Sequence, residues 1–133
     1  MSAADVEIVR EMFETFNRGE YEEATAMLHE RVEMYQASEI PDTGTYLGRD
    51  EFVRGLSRWL SGFEPGFQYV PEEMVDAGDL VFMAILLRGV GRGSGVKLEQ
   101  RIFHVWEVRD GKPFRVHVFW EEQEARRVAG LEP

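Results

Sequence analysis

The sequence predicts an α+β domain with a mainly antiparallel sheet, and three observations predict it. Helix-period apolar spacing fills the first half of the chain, strand-like runs fill the second, and tight glycine turns join the three long strands between Leu80 and Trp120. The sharpest signal is Arg109-Asp110-Gly111-Lys112. Asp-Gly at the two central positions suits a type I′ turn, which needs positive φ at both and matches the twist of the flanking strands.

The elements follow in order. Val6, Val9, Phe13 and Phe16 recur at helical spacing, and Asn17-Arg18-Gly19 stops that helix. A second, short helix turns Tyr21, Ala24 and Leu28 inward and ends near His29, and Val32 to Ala37 alternates as a strand. Ser38 to Gly48 is a loop punctuated by Pro41, Gly44 and Gly48. A third helix from Arg49 to Gly62 carries the broad apolar stripe Phe52, Leu56, Trp59, Leu60 and Phe63. Phe67 to Asp76 is a strand containing Pro71, which lacks a ladder donor and so marks an edge or a bulge. After the three long strands, Glu121 to Ala129 forms a terminal helix capped by Gly130. The helices must cover one sheet face, leaving the other to solvent or to a partner.

At 133 residues the chain is most simply one domain spanning 1–133, long enough to bury a sizeable core. Its 44% hydrophobic content, with nine Phe, three Trp and four Tyr, argues against disorder. A net charge of −10 without a basic stripe argues against a nucleic-acid partner. With no cysteine, disulfides and thiol chemistry are excluded. The start of the chain lacks the basic flank and apolar core of a signal peptide, and nothing approaches the roughly 20 apolar residues of a membrane span. A cytoplasmic protein with no membrane partner is expected.

The Asp110-Gly111 turn assigns side chains to faces. It pairs Arg101, Phe103, Val105 and Glu107 with Trp120, Val118, Val116 and Phe114 on one face, and Ile102, His104 and Trp106 with Phe119, His117 and Arg115 on the other. A preceding hairpin turning at Ser94-Gly95 adds Arg88, Leu86, Ala84 and Phe82 to the first face, though Gly91, Gly93 and Gly95 allow a bulge there. The first face, richer in unbroken apolar residues, is expected to be the core and pocket face. The second, with Ile102, His104, Trp106, Arg115, His117 and Phe119, is the candidate face for a homodimer.

The order helix–helix–strand–helix–sheet resembles the cone-shaped α+β fold of the nuclear transport factor two (NTF2) superfamily, which includes ketosteroid isomerases and SnoaL-like polyketide cyclases. The resemblance is to SnoaL-like domain proteins and covers nearly the whole chain. It is carried by Val6-Glu7-Ile8-Val9-Arg10, Phe16-Asn17-Arg18-Gly19, Gly91-Arg92-Gly93-Ser94-Gly95-Val96, Arg109-Asp110-Gly111-Lys112 and the ending Glu124 to Leu131. It implies a curved sheet wrapped around three N-terminal helices. It does not imply one activity, because this fold hosts isomerases, cyclases, hydratases, hydrolases and binders. The oxyanion donors and base of ketosteroid isomerases fall at Met12, Phe103 and near Gln36, none of which can do that chemistry, and Tyr35 beside the last is a poor base. The late aspartate of the cyclases has no counterpart between Phe114 and Trp120.

Within a cone, Arg101 is the first candidate to contact a ligand, alone or with Arg88 as an anion clamp; its structural reading is an ion pair at the sheet edge, with Glu39 or Asp42 as counter-charge. Tyr35, Trp59, Phe63, Phe103 and Trp120 read either as an aromatic pocket lining or as core packing. Glu39, in the loop flanking the opening, is the candidate general base, and most loop glutamates are merely solvated. His104 and His117, side by side, suit proton relay or a structural pair, and they lack the third ligand a metal needs. Gly91 to Gly95 has no following helix to receive phosphate and reads as a turn. The expectation is a small, partly apolar organic ligand, anionic if Arg101 contacts it, with no metal or cofactor implied. Any catalysis would be acid–base, with Glu39 as base and Arg101 stabilising developing charge. The alternative is a non-catalytic interaction module using the outer sheet face.

Overall fold

Helix α1 (Ser2–Asn17) buries Val9, Met12, Phe13 and Phe16 along one stripe, because residues three and four apart share a helix face. Its last residue closes the edge of the sheet. The Asn17 amide donates to the Tyr69 carbonyl at 2.8 Å and accepts from the Tyr69 N–H at 2.9 Å, pairing with a strand edge as a strand would. Helix α2 (Tyr21–Ala26), strands β1 (Glu33–Gln36) and β2 (Tyr46–Leu47), and helix α3 (Arg49–Leu60) follow. The structure is a computed structural model and describes residues 2–36 and 44–131. No helix among the described residues is long and apolar enough to cross a membrane.

Strands β3 (Gln68–Asp76), β4 (Val81–Val90), β5 (Lys97–Arg109) and β6 (Lys112–Phe119) precede helix α4 (Glu122–Ala129). The sheet order is β2-β1-β6-β5-β4-β3, with β1 parallel to β6 and the other neighbours antiparallel. Strand β3 lies at the edge and its register shifts between Pro71 and Glu73, as a proline without a ladder donor requires. Gly130 ends α4 in the left-handed conformation, at φ 79°.

The turn at Asp110-Gly111 forms with φ of 56° and 73°, and Arg109 and Val108 pair with Lys112 and Pro113. Beyond it β6 carries one extra residue, Phe114. From Glu107↔Arg115 onward the register is displaced by one: Trp106 faces Val116, Val105 faces His117, His104 faces Val118 and Phe103 faces Phe119. A slip of one turns every side chain of a strand to the other face relative to its partner. The face assignment drawn from the turn is therefore corrected. Ile102, His104 and Trp106 join Val116 and Val118 on the concave, helix-facing side, while Phe103 and Val105 join His117 and Phe119 on the convex side. His104 and His117 are not partners. The β4–β5 hairpin keeps the expected faces but sits two residues away, with Arg88 opposite Glu99 and Leu86 opposite Arg101.

Two apolar clusters result. Val9, Phe13, Met83, Ile85, Ile102 and Trp106 are buried between the concave face and the first helices. Phe82, Ala84, Phe103, Val105 and Phe119 are buried beneath Ala125 and Ala129 of α4. The terminal helix thus covers part of the face expected to be left to solvent or a partner.

Candidate functional site

Between α1, α2, α3 and the concave face the core leaves a cavity of about 620 Å³. Its wall is apolar: Met12, Phe13, Phe16, Leu28, Leu56, Leu87 and Ile102 line it. Depth separates its polar groups. His104 and Trp106, 3% and 2% exposed, form the floor, whereas Trp59 and Trp120, 43% and 40% exposed, stand at the rim. Tyr46 closes one side by lying flat on α3. A Cβ at Gly55 would sit 2.6 Å from its ring, so this helical glycine is what admits the tyrosine.

His104 is held in one protonation form. The Trp106 indole N–H donates to His104 Nδ1 at 3.2 Å. An indole N–H only donates, so Nδ1 is the bare nitrogen and the neutral ring carries its proton on Nε2. Burial pushes the imidazole pKa from 6.5 down to about 3. The ring packs edge-on against Phe13, with centroids 5.9 Å apart, and Nε2 has no protein acceptor among the described residues. His104 is thus a neutral hydrogen-bond donor, and its lone pair is already engaged, so it is not placed to act as a base. Tyr69 is a second donor beside the same ring, 6.3 Å from Phe13. Burial pushes its pKa up and keeps the phenol protonated. Among the described residues, no carboxylate lines the cavity, and Arg58, exposed on α3, is its one cation.

Several sequence candidates lie elsewhere. Arg101 points away from the cavity, 59% exposed, with its guanidinium on Glu72 at 2.6 and 3.2 Å. Arg88 pairs with Glu99 at 3.4 Å, so the two arginines do not form a clamp. Phe103 stacks on Phe82 beneath α4, with centroids 6.3 Å apart. The Tyr35 hydroxyl donates to Glu33 at 2.7 Å and its ring stacks on His117, on the convex face. Phe63 stands behind Trp59, 5.1 Å between centroids. The cavity keeps Trp59 and Trp120, and it gains His104, Ile102 and Trp106, which the sequence had assigned to a dimer face. Of that face Arg115, His117 and Phe119 are convex, and Arg115 is already bonded to Glu33 and Glu107 at 2.8 and 2.5 Å. Lying on opposite faces, His104 and His117 cannot share a metal ion. Glu39 and Asp42 lie outside the described residues.

Sequence reasoning passed over Tyr69, Tyr46 and Arg58. Gly55, Arg58 and Trp59 are spaced three and four residues apart on one helix, which was the available signal that Arg58 shares a face with the aromatic stripe.

The chain is similar to known structures over nearly its whole length. An NTF2-like protein from Burkholderia thailandensis is 28% identical, with a TM-score of 0.74 over 96% of this chain and 97% of that one. Bal32a, from a soil-derived mobile gene cassette, is 20% identical with a TM-score of 0.78 over 93% and 94%. TerC, co-crystallised with polyporic acid, is 19% identical with a TM-score of 0.74 over 96% and 98%. These likenesses support the cone-shaped fold. No curated protein matches the chain. The model of the SnoaL-like domain matches residues 9–116, and the chain therefore belongs to the SnoaL-like domain family, within the NTF2-like superfamily.

Proposed function

We propose that this protein binds a largely apolar organic molecule in the cone cavity and hydrogen-bonds a carbonyl-type oxygen of it through His104 Nε2–H. One observation carries the reading: a buried imidazole, fixed as a neutral donor by Trp106, forms the floor of an apolar cavity of about 620 Å³. His104 lines the cavity with its Nε2–H unengaged by protein among the described residues, and an acceptor on a ligand there would complete its hydrogen bonding. The volume lies within the range of small-molecule sites. The fold shared with TerC, which was crystallised with polyporic acid, is in keeping with an organic ligand. A neutral donor also polarises a carbonyl, which is half of what isomerisation or cyclisation needs. The base would have to come from outside the described lining, where Glu39 is the candidate the sequence offers. The interaction-module alternative is supported less well. The convex patch around Tyr35 and His117 has its charges already paired, with Arg115 held between Glu33 and Glu107.

All three tryptophans of the chain line the cavity, so their indole N–H resonances report occupancy directly. Titration with 2-acetylnaphthalene should shift them, with binding about 5-fold tighter than that of naphthalene, the ratio worth one hydrogen bond of about 1 kcal/mol. His104→Phe should erase that ratio. Unmoved indole resonances, or an unchanged ratio in the variant, would overturn the proposal.

A further inference from the structure

We infer that the ligand of this cavity is an organic anion, oriented with its neutral, acceptor-bearing end toward His104 and its anionic group at the mouth against Arg58. The inference rests on the binding role proposed above and adds the charge and direction of the ligand.

Arg58 is set apart from the other arginines by where it stands rather than by lacking an ion pair, since Arg31, Arg49, Arg54 and Arg92 also hold no carboxylate among the described residues, but Arg58 alone of them lines the cavity. Arg10, Arg88, Arg101, Arg109, Arg115 and Arg126 each hold a carboxylate. Arg58 holds none among the described residues, yet it is the residue of α3 next to the rim tryptophan Trp59 and contributes to the cavity wall. A basic residue in the last turn of a helix is favourable against the helix dipole, and that alone would explain a solvated arginine. It does not explain the placement of that cation on the one wall where every other described polar group is neutral. A chain of net charge −10 repels anions over most of its surface, so a guanidinium that meets no carboxylate among the described residues is, at an opening, a local site where an anion gains.

Direction follows from the cost of burying charge. The floor offers neutral donors, His104 and Tyr69, and no cation among the described residues. Taking a carboxylate there would forfeit its hydration with no counter-charge in return. At the mouth the carboxylate keeps part of its water and meets a planar fork suited to bidentate contact. Beside Arg58 at the rim stand Trp59 and Trp120, whose indoles suit contact with a flat aromatic or polycyclic body. The ligand class is therefore an aromatic or alicyclic acid, or a phenolate or enolate of similar shape, with a carbonyl at the far end.

A matched pair of probes separates this inference from the binding role itself. 6-Acetyl-2-naphthoate and its methyl ester share the ring and the acetyl group and differ only in charge. The acid should bind about 5- to 10-fold tighter than the ester, by the margin of a partly exposed charge-assisted contact, and the margin should shrink as salt rises from about 0.02 to 0.3 M. Arg58→Gln, on an exposed helix position, should bring the acid down to the ester and leave the ester unchanged. His104→Phe should weaken both probes alike and keep their ratio. An ester that binds as tightly as the acid, or an Arg58→Gln variant that keeps the ratio, overturns the inference. If Arg58→Gln acts as expected but His104→Phe does nothing, the donor role of His104 falls while the anion site stands. Indole resonances that neither probe moves overturn both.

Discussion

On the convex side of the sheet Arg101 meets Glu72, Arg88 meets Glu99 and Arg115 sits between Glu33 and Glu107, whereas on the concave side His104, Tyr69 and Arg58 meet no carboxylate among the described residues. The sheet residues of both sides come from the same strands, so for them the contrast is one of alternation along a pleat, while Arg58 is added to the concave side by α3. The convex side satisfies its own polar groups and packs α4 over its aromatic patch, and nothing in it calls for a ligand. The concave side leaves donors without acceptors around an apolar cavity, which is the condition under which a bound molecule lowers the free energy of the protein. Which residues fall on which side was decided by one extra residue in β6.

The most drastic way to break this contrast is to remove that residue. Deleting Phe114 would restore the register set by the Asp110-Gly111 turn, and Val116 and Val118, 0% and 4% exposed, would turn outward. Expelling two core valines costs about 3–6 kcal/mol at roughly 1.5–3 kcal/mol each, comparable with the whole stability of a small domain. Phe114 also packs under the Arg109 guanidinium at 4.0 Å and against the His29 ring, and the deletion removes both interactions in the same step. The expected outcome in urea denaturation is a variant with no cooperative transition. A variant that unfolds cooperatively with its midpoint unmoved would mean that the bulge does not set the faces.

That residue also marks how far the sequence could be read. The strands, the I′ turn, the edge position of β3 and the α4 cap were legible because each depends on local chemistry: Asp-Gly for the turn, Pro71 for the edge, Gly130 for the stop. The faces were not, because they depend on counting residues along two paired strands, and one bulge reverses the count. The clue was Pro113, since a proline in an interior strand calls for a bulge as Pro71 does at the edge. Among site residues, Trp59 and Trp120 were legible as aromatics, whereas His104 was placed on the outer face by the inverted count. Arg58 reads as an ordinary solvated helix residue until the cavity beside it is seen.

A smaller effect sharpens the contrast through pH. His104 stays neutral in the folded protein down to about pH 3, whereas in the unfolded chain it titrates near 6.5. Above that value neither state takes the proton. Below it the unfolded chain binds a proton that the folded one refuses, so stability falls with falling pH by about 1.4 kcal/mol per pH unit for one histidine. His117, on the convex side, is also shifted down, first by burial and then by Arg115, and acts in the same direction. Between pH 6.5 and 5, above the range where most carboxylates titrate, the His104 share amounts to about 2 kcal/mol. Urea denaturation at fixed pH values should show that share missing from His104→Phe, with only the His117 part left. Equal slopes in the two proteins would mean that the imidazole is not buried neutral.

The smallest expected effect is the most direct test of the division between faces. Arg101 is the first of the two arginines, with Arg88, that the sequence placed in the pocket, and the structure puts it outside, on Glu72, the residue left unpaired where the β3 register shifts. Exposed ion pairs contribute between nothing and about 1 kcal/mol, because solvent screens the charges and two long side chains must be ordered. Arg101→Gln should therefore leave the urea midpoint essentially unmoved, and it should leave the affinity for 6-acetyl-2-naphthoate and its ratio to the ester where they were. Arg58→Gln, also an exposed arginine changed to glutamine, should remove that ratio. Both variants change an exposed arginine to glutamine, so a difference between them reports where each stands, Arg58 at the mouth of the cavity and Arg101 on Glu72 on the convex side. If Arg101→Gln weakened the acid instead, the electrostatic separation of the faces would fail, and the convex charges would have to be counted as part of the site.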